Sequence, residues 1–311
     1  MEWAILLKEP EDLNRLEAFG TFQQISQVES DGEDPLSPYR RLFYQQVSKY
    51  FGPLVFTRVY FGNEFCQHLI PSLGKLRRVY EACKERGIHF SFVTPYVTDK
   101  GIKRLRPLLD FLAESTPHTE VIVNDWGVLR MLRRNYPELE IVLGRLMNKM
   151  LRDPRVTGLY KQTAPETVIK TLNEPAMAAT LYQQFLTGLG VRTLEFDVLL
   201  QGMNFSSLAD GGLTVSVYVP YGFVATGRVC MIGSLHLPKP KKFDVDIRCS
   251  FECQEYTTEL HYTSPVNKVD QKYFQKGTTV FYTHSREMLA STFEEALQGR
   301  IHRIIYQPGL M

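Results

Sequence analysis

LVFTRVYFGNEFCQHLIPSLGKLRRVYEACKERGIHFSFVTPYV, residues 54–97, reads as a strand, a helix and a second strand. LVFTRVYFG (54–62) is rich in β-branched and aromatic residues and stops at a glycine. SLGKLRRVYEACKERG (72–87) is amphipathic, with Ser72 placed to cap its start and Gly87 to end it. HFSFVTPYV (89–97) is apolar and β-rich again. The same rhythm runs on through helix 99–115, strand TEVIVND (119–125), helix WGVLRMLRRNYP (126–137) and strand EIVLGRLMN (140–148). Strand and helix in repeated alternation are the mark of βαβ units and a parallel sheet.

Further along, NEPAMAATLYQQFLTGLG (173–190) reads as a helix with Pro175 in its first turn, and VRTLEFDVLLQG and TVSVYVPYGFV read as strands. TTVFYTHS, REMLASTFEEALQG and RIHRIIYQP add a strand, a helix and a strand. The strands number about eight, which favours a closed TIM-like (β/α)8 barrel over an open sheet. The expected organisation is a single α/β barrel domain over residues 1–311. In it, residues 1–53 are a divergent first unit or an N-terminal extension, and residues 231–277 a long excursion without clear periodicity.

With 44% apolar and 12% aromatic residues, the chain can bury a sizeable core. A net charge of +2 gives no global field toward nucleic acid or an anionic membrane. The basic runs LGKLRRVYEACKERG, RLRPLL and LRMLRRN alternate charge with leucine and read as solvated helix faces. The loop PKPKKF (238–243) is different, and nucleic acid is not excluded there. The opening MEWAILLKEPEDL lacks the basic flank and apolar length of a secretory leader, and no segment approaches the roughly 20 apolar residues of a membrane span. The expected location is cytoplasmic, where thiols stay reduced.

Chemistry concentrates in five cysteines. Cys66 follows strand 54–62, Cys230 follows strand 214–219, and Cys249 and Cys253 form CSFEC in the excursion. All four map to the end of the barrel where strands terminate, the usual place for function in this architecture. Cys83 falls mid-helix and reads as a small core residue. Four thiols on one face suit zinc or an iron–sulfur cluster, or they are unligated core residues. Zinc ribbons usually supply two close C-x2-C pairs, whereas here one C-x3-C pair joins two scattered cysteines, which favours a cluster.

His68 beside Cys66, Asn124 and Asp125 after VIV, Arg145 in GRLMN and Glu195 in LEFDV are further candidates for substrate binding, and Asn148 and Asp197 are polar groups at the same strand ends. Arg145 could anchor a small carboxylate acid by paired hydrogen bonds. The carboxylates also read as a buried support network, and Asn124 and Asp125 as caps of the next helix. No G-x-S-x-G elbow and no H-E-x-x-H pair stands in the sequence.

YFGNEFCQHL, VIVNDWGVLRML, IVLGRLMN and VATGRVC followed by C-x3-C resemble, in order and position, the collagenase-like peptidase family U thirty-two. The cysteine pattern is most similar to that of its ubiquinone-biosynthesis branch. That resemblance implies a [4Fe-4S] cluster on Cys66, Cys230, Cys249 and Cys253, and oxygen-independent hydroxylation of a quinone-precursor or RNA-type substrate. It also implies a homologous family subunit as a heterodimeric partner. A non-catalytic scaffold subunit or a peptidase are the alternatives. Residues 1–53 lack the family's Pro-Ala-Gly opening, and the 231–248 insertion is longer than the family pattern.

Overall fold

The computed structural model describes residues 1–13, 34–244, 248–261 and 271–310. In chain order its strands are β1 (Glu2–Leu7), β2 (Arg58–Gly62), β3 (His89–Val93), β4 (Glu120–Val123), β5 (Glu140–Leu143), β6 (Thr193–Asp197), β7 (Thr214–Val219), β8 (Tyr221–Thr226), β9 (Thr258–Leu260), β10 (Tyr273–Lys276), β11 (Thr279–Thr283) and β12 (Arg303–Tyr306). The helices are α1 (Ser37–Tyr50), α2 (Leu73–Glu85), α3 (Asp99–Ser115), α4 (Trp126–Asn135), α5 (Pro154–Thr163), α6 (Glu166–Asn173), α7 (Thr180–Gly188), α8 (Ser206–Asp210), α9 (Glu252–Glu255) and α10 (Arg286–Leu297). Eight strands pair in parallel and close a barrel in the order β1, β12, β7, β6, β5, β4, β3, β2. The fold is the TIM-like (β/α)8 barrel expected from the strand–helix rhythm.

Side chains alternate across the barrel wall because successive residues of a strand point to opposite faces. Ala4, Leu6, Tyr60, Val93, Ile122, Val142, Tyr218 and Ile305 cluster together, while their neighbours Trp3, Ile5, Val59, Phe61, Val217 and Ile304 join the larger core shared with the helices. Local signals set the helix ends. The Ser72 hydroxyl accepts from the Lys75 N–H, and Gly87 at φ +64° turns the chain out of α2 toward β3. On the inner face of α2, Leu76 and Val79 are fully buried, each worth roughly 1.5–3 kcal/mol of burial.

Two strand memberships differ from the sequence reading. TVSVYVPYGFV is not one strand: β7 stays in the barrel and β8 leaves it, with the break at the cis Val219–Pro220 bond. Proline has no N–H for the ladder, so a parallel strand cannot run through it. β11, within TTVFYTHS, pairs antiparallel with β8 and β10 and lies outside the barrel. The eighth barrel strand is instead β1, which pairs with β12 and β2. The chain's first residues are therefore barrel wall, followed by α1; residues 14–33 of the opening span lie outside the described residues.

β8, β11, β10 and β9 form a second, antiparallel sheet. Its Tyr221, Phe223, Phe274 and Phe281 pack with Phe65 from the loop after β2, Leu146 from the turn after β5, and Leu310. The sheet thus covers the C-terminal ends of the barrel strands, and the stretch joining β8 to β9 carries three of the cysteines. Among the described residues no helix is long and apolar enough to cross a membrane.

Candidate metal centre

The loop after β2 is built to present Cys66. Gly62 has φ +134°, and a Cβ there would stand 2.1 Å from the Val93 carbonyl oxygen, so only glycine fits. The Asn63 carboxamide oxygen then accepts from the Phe65 N–H at 2.9 Å and the Cys66 N–H at 2.8 Å, closing an Asx turn that aims the cysteine out of the barrel end. Arg104 from α3 donates to the Gln67 and Ile70 carbonyls at 3.0 and 3.1 Å, and the Gln67 side chain accepts from the Thr98 N–H at 2.9 Å. These bonds pin the loop to the next βα unit.

The excursion supplies the remaining thiols. The Gly233 N–H points at Cys230 Sγ at 3.2 Å, and the Phe251 N–H at Cys249 Sγ at 3.4 Å. Phe251 adopts the left-handed φ of +63°, an uncommon conformation for a bulky residue, and turns the chain from Cys249 into α9, which carries the buried Cys253. Cys66, Cys230, Cys249 and Cys253 line one pocket together with Phe65, Gln67, His68, Leu69, Tyr96, Arg228, Gly233, Gly277 and Thr278. The fifth, Cys83, is buried in α2 within the core. All five are free thiols, so CSFEC is not a disulfide.

Burial, with the neighbouring cysteines adding to it, pushes the Cys66 thiol up to about 12 and Cys253 to about 11. Cys230 is raised by burial as well, against the pull of the Gly233 N–H. Lys276, half-buried on β10, is the cation that pulls Cys253 back down. Among the described residues no three His, Cys, Asp or Glu side chains converge as ligands of one metal ion. A tetrahedral zinc site draws its thiolates to within about 4 Å of one another. An iron–sulfur cluster takes each thiolate on a different iron and asks for a wider ring. Four thiols lining one pocket, two of them facing backbone N–H groups, fit such a cluster by their donor chemistry.

The chain matches no protein-family model and no curated protein. Among solved structures it is similar to that of the U32 peptidase Mk0906, at 9% identity and a TM-score of 0.42, over 100% of this chain and 94% of the other. A likeness of that size carries no argument.

The other sequence candidates divide by location. His68 lines the thiol pocket. Asp125 caps α4, accepting from the Gly127 and Val128 N–H groups at 2.7 and 3.2 Å. Asn124 is buried, donating to the Thr94 carbonyl and accepting from the Leu146 N–H. Arg145 is fully buried, and all five of its N–H groups are engaged: two by Glu64, one by Asp197 with the Tyr221 carbonyl alongside, and one by Gln307. The whole guanidinium fork thus meets protein acceptors, and the buried carboxylates push the guanidinium upward, keeping it charged. A substrate carboxylate would have to displace Glu64 or Asp197, so Arg145 is part of a support network. Arg152 also ion-pairs with Asp197, and Asn148 is buried beside them.

Glu195 lies in the barrel interior, accepting from the Tyr218 hydroxyl at 2.8 Å, and burial pushes its carboxyl up to about 8. Glu64, Arg152, Gln307, Tyr96, Arg228 and Thr278 were not among the sequence candidates. Glu64 sits two residues before Cys66 and was within reach of the same strand-end argument; Thr278 had no signal, because it comes from the covering sheet.

Proposed function

We propose that this chain is an iron–sulfur protein in which Cys66, Cys230, Cys249 and Cys253 hold a [4Fe-4S] cluster at the barrel mouth. The observation that carries the reading is the meeting of four thiols from distant parts of the chain around one pocket. When bound, such a cluster supplies one-electron transfer or an iron site for a substrate oxygen. Each thiolate would take one iron. The Gly233 and Phe251 N–H groups would donate to the Cys230 and Cys249 sulfurs, which favours the more negative, reduced state. Phe65, Leu69 and Tyr96 supply the apolar part of the pocket lining.

Within this reading, the sequence resemblance to UbiV, the ubiquinone-biosynthesis member of the family, supports oxygen-independent hydroxylation in the cytoplasm beside a homologous subunit. The substrate would be a quinone precursor or an RNA-type molecule. Protein isolated anaerobically should be brown, with about four irons per chain and a cluster signal in electron paramagnetic resonance after reduction. Cys249→Ser with Cys253→Ser should lose the iron while far-ultraviolet circular dichroism stays unchanged. A folded wild-type protein that takes up zinc, or no iron under reconstitution, would overturn the proposal.

A further inference from the structure

Helix α7 turns most of its large apolar residues outward. Leu186 is its one buried residue, while Leu181 stands 81% exposed and Phe185 50%. A helix packed on a barrel ordinarily spends its apolar stripe on the core. Beside it, Trp126 at the start of α4 is 47% exposed. These side chains form one surface. The Trp126 and Phe185 rings lie 6.1 Å apart between centroids, Tyr182 stacks on Phe185 at 6.1 Å, and Leu181 precedes Phe185 by one turn on the same side of α7. Scattered exposed apolar residues are ordinary, but a contiguous patch marks an interaction surface.

The same face is basic. Trp126, Arg130 and Arg133 share one stripe of α4, being four and then three residues apart. The Arg133 guanidinium donates to the Gly188 carbonyl at 3.5 Å, which ties that stripe to the end of α7. Arg130, Arg133 and Arg134 are exposed, and none has a carboxylate partner among the described residues. Neither α4 nor α7 contains an Asp or a Glu. Of the carboxylates nearest in sequence, Asp125 is spent on the Gly127, Val128 and Val97 N–H groups, and Glu195 is buried inside the barrel. Glu138 and Glu140 lead into β5 at the opposite end of the barrel from Trp126, and Glu174 closes α6.

We propose that the outer face of α4 and α7 seats this protein on an anionic lipid surface. Trp, Leu and Phe side chains enter the boundary between headgroups and acyl chains, and arginines beside them keep their stems on apolar surface while their heads meet lipid phosphates. A lipid surface is favoured over a protein partner for two reasons. The apolar groups protrude, and a fluid surface takes protruding side chains without a matching pocket. The arginines are unpaired with no acid between them, which suits a partner of one uniform negative charge. Trp126 follows β4 directly, so the face begins at the barrel end that holds the thiol pocket. The proposal is independent of the metal-centre reading.

The test uses the full chain with vesicles of phosphatidylcholine containing about 30% phosphatidylglycerol. The chain should sediment with them, and should bind phosphatidylcholine alone at least about tenfold more weakly. Of the two tryptophans Trp3 is buried, so Trp126 reports on the face. Its emission should move to shorter wavelength when anionic vesicles are added, and Trp126→Phe should abolish the shift. Leu181→Ser with Phe185→Ser should weaken binding at least about tenfold. Arg130→Gln with Arg133→Gln and Arg134→Gln should weaken it as much and flatten its salt dependence. Far-ultraviolet circular dichroism should be unchanged in both sets, since the replaced side chains are exposed. A chain that stays in the supernatant with anionic vesicles, or binds them indifferently to both sets of substitutions, overturns the proposal. So does concentration-dependent self-association lost with Leu181→Ser and Phe185→Ser, which makes a second copy the occupant. No arm needs iron, so a chain that takes up none refutes the metal centre alone, and the vesicles still decide the surface.

Discussion

Replacing Glu195 with glutamine should change how stability depends on pH. Glu195 is completely buried, with Tyr60, Tyr218, Glu64 and Arg303 as its polar and charged surroundings. Burial, with the Glu64 charge adding to it, raises its carboxyl from 4.5 to about 8; Tyr218, Tyr60 and Arg303 oppose the rise. At pH 7 the folded chain holds a proton on Glu195 that the unfolded chain has released. Between pH 4.5 and 8 the folded state binds more protons, so stability falls as pH rises. Each pH unit is worth about 1.4 kcal/mol, which puts the cost to folding at about 3 kcal/mol at pH 7 and about 5 above pH 8.

Glutamine keeps the acceptor for the Tyr218 hydroxyl and does not titrate. It places an amide where Glu195 Oε1 has no hydrogen-bond partner, a penalty of about 1–3 kcal/mol that does not vary with pH. Equilibrium urea unfolding of both proteins, followed by circular dichroism from pH 5 to 9, isolates the effect because every other group cancels in the difference. Glu195→Gln should gain on the wild type by about 1.4 kcal/mol per pH unit up to about pH 8 and then level off. A difference that stays flat from pH 5 to 8 would refute the claim that Glu195 is protonated in the folded barrel.

Arg145→Met should destabilise by about 3–5 kcal/mol, because Glu64 and Asp197 keep buried charges without their shared partner; thermal and urea unfolding measure it. Gly62→Ala should cost about 3 kcal/mol or more from backbone strain and the clash with the Val93 carbonyl, and iron retention should drop with the displaced Cys66 loop. His284 is buried, neither ring nitrogen has a hydrogen-bond partner among the described residues, and burial holds it down to about 3. The unfolded chain protonates it near 6.5 and the folded chain does not, so stability is lost as pH falls from 6.5 toward 3. His284→Gln should flatten that acid limb by about 1.4 kcal/mol per pH unit, read as a lower acid-unfolding midpoint. Cys83→Ala should leave iron content unchanged, since Cys83 packs in α2 away from the pocket.

The barrel was legible because its signals are local. The apolar strand 58–62, the Ser72 and Asp125 caps and the Gly87 stop act within a few residues, and repetition of such units admits few parallel architectures. The strand-end positions of Cys66 and Cys230 were legible for the same reason. Only the tertiary structure decided that β1 and not β11 completes the barrel, because both stretches are apolar and their pairing partners lie far away in the chain. It alone decided that Arg145, which as a sequence feature could face a substrate, is held by Glu64, Asp197 and Gln307. Saturation of a donor depends on groups as far as 162 residues away. The convergence of the four thiols is of the same kind: spacing put them at one end of the barrel, and the fold of the covering sheet and its excursion brought them round one pocket.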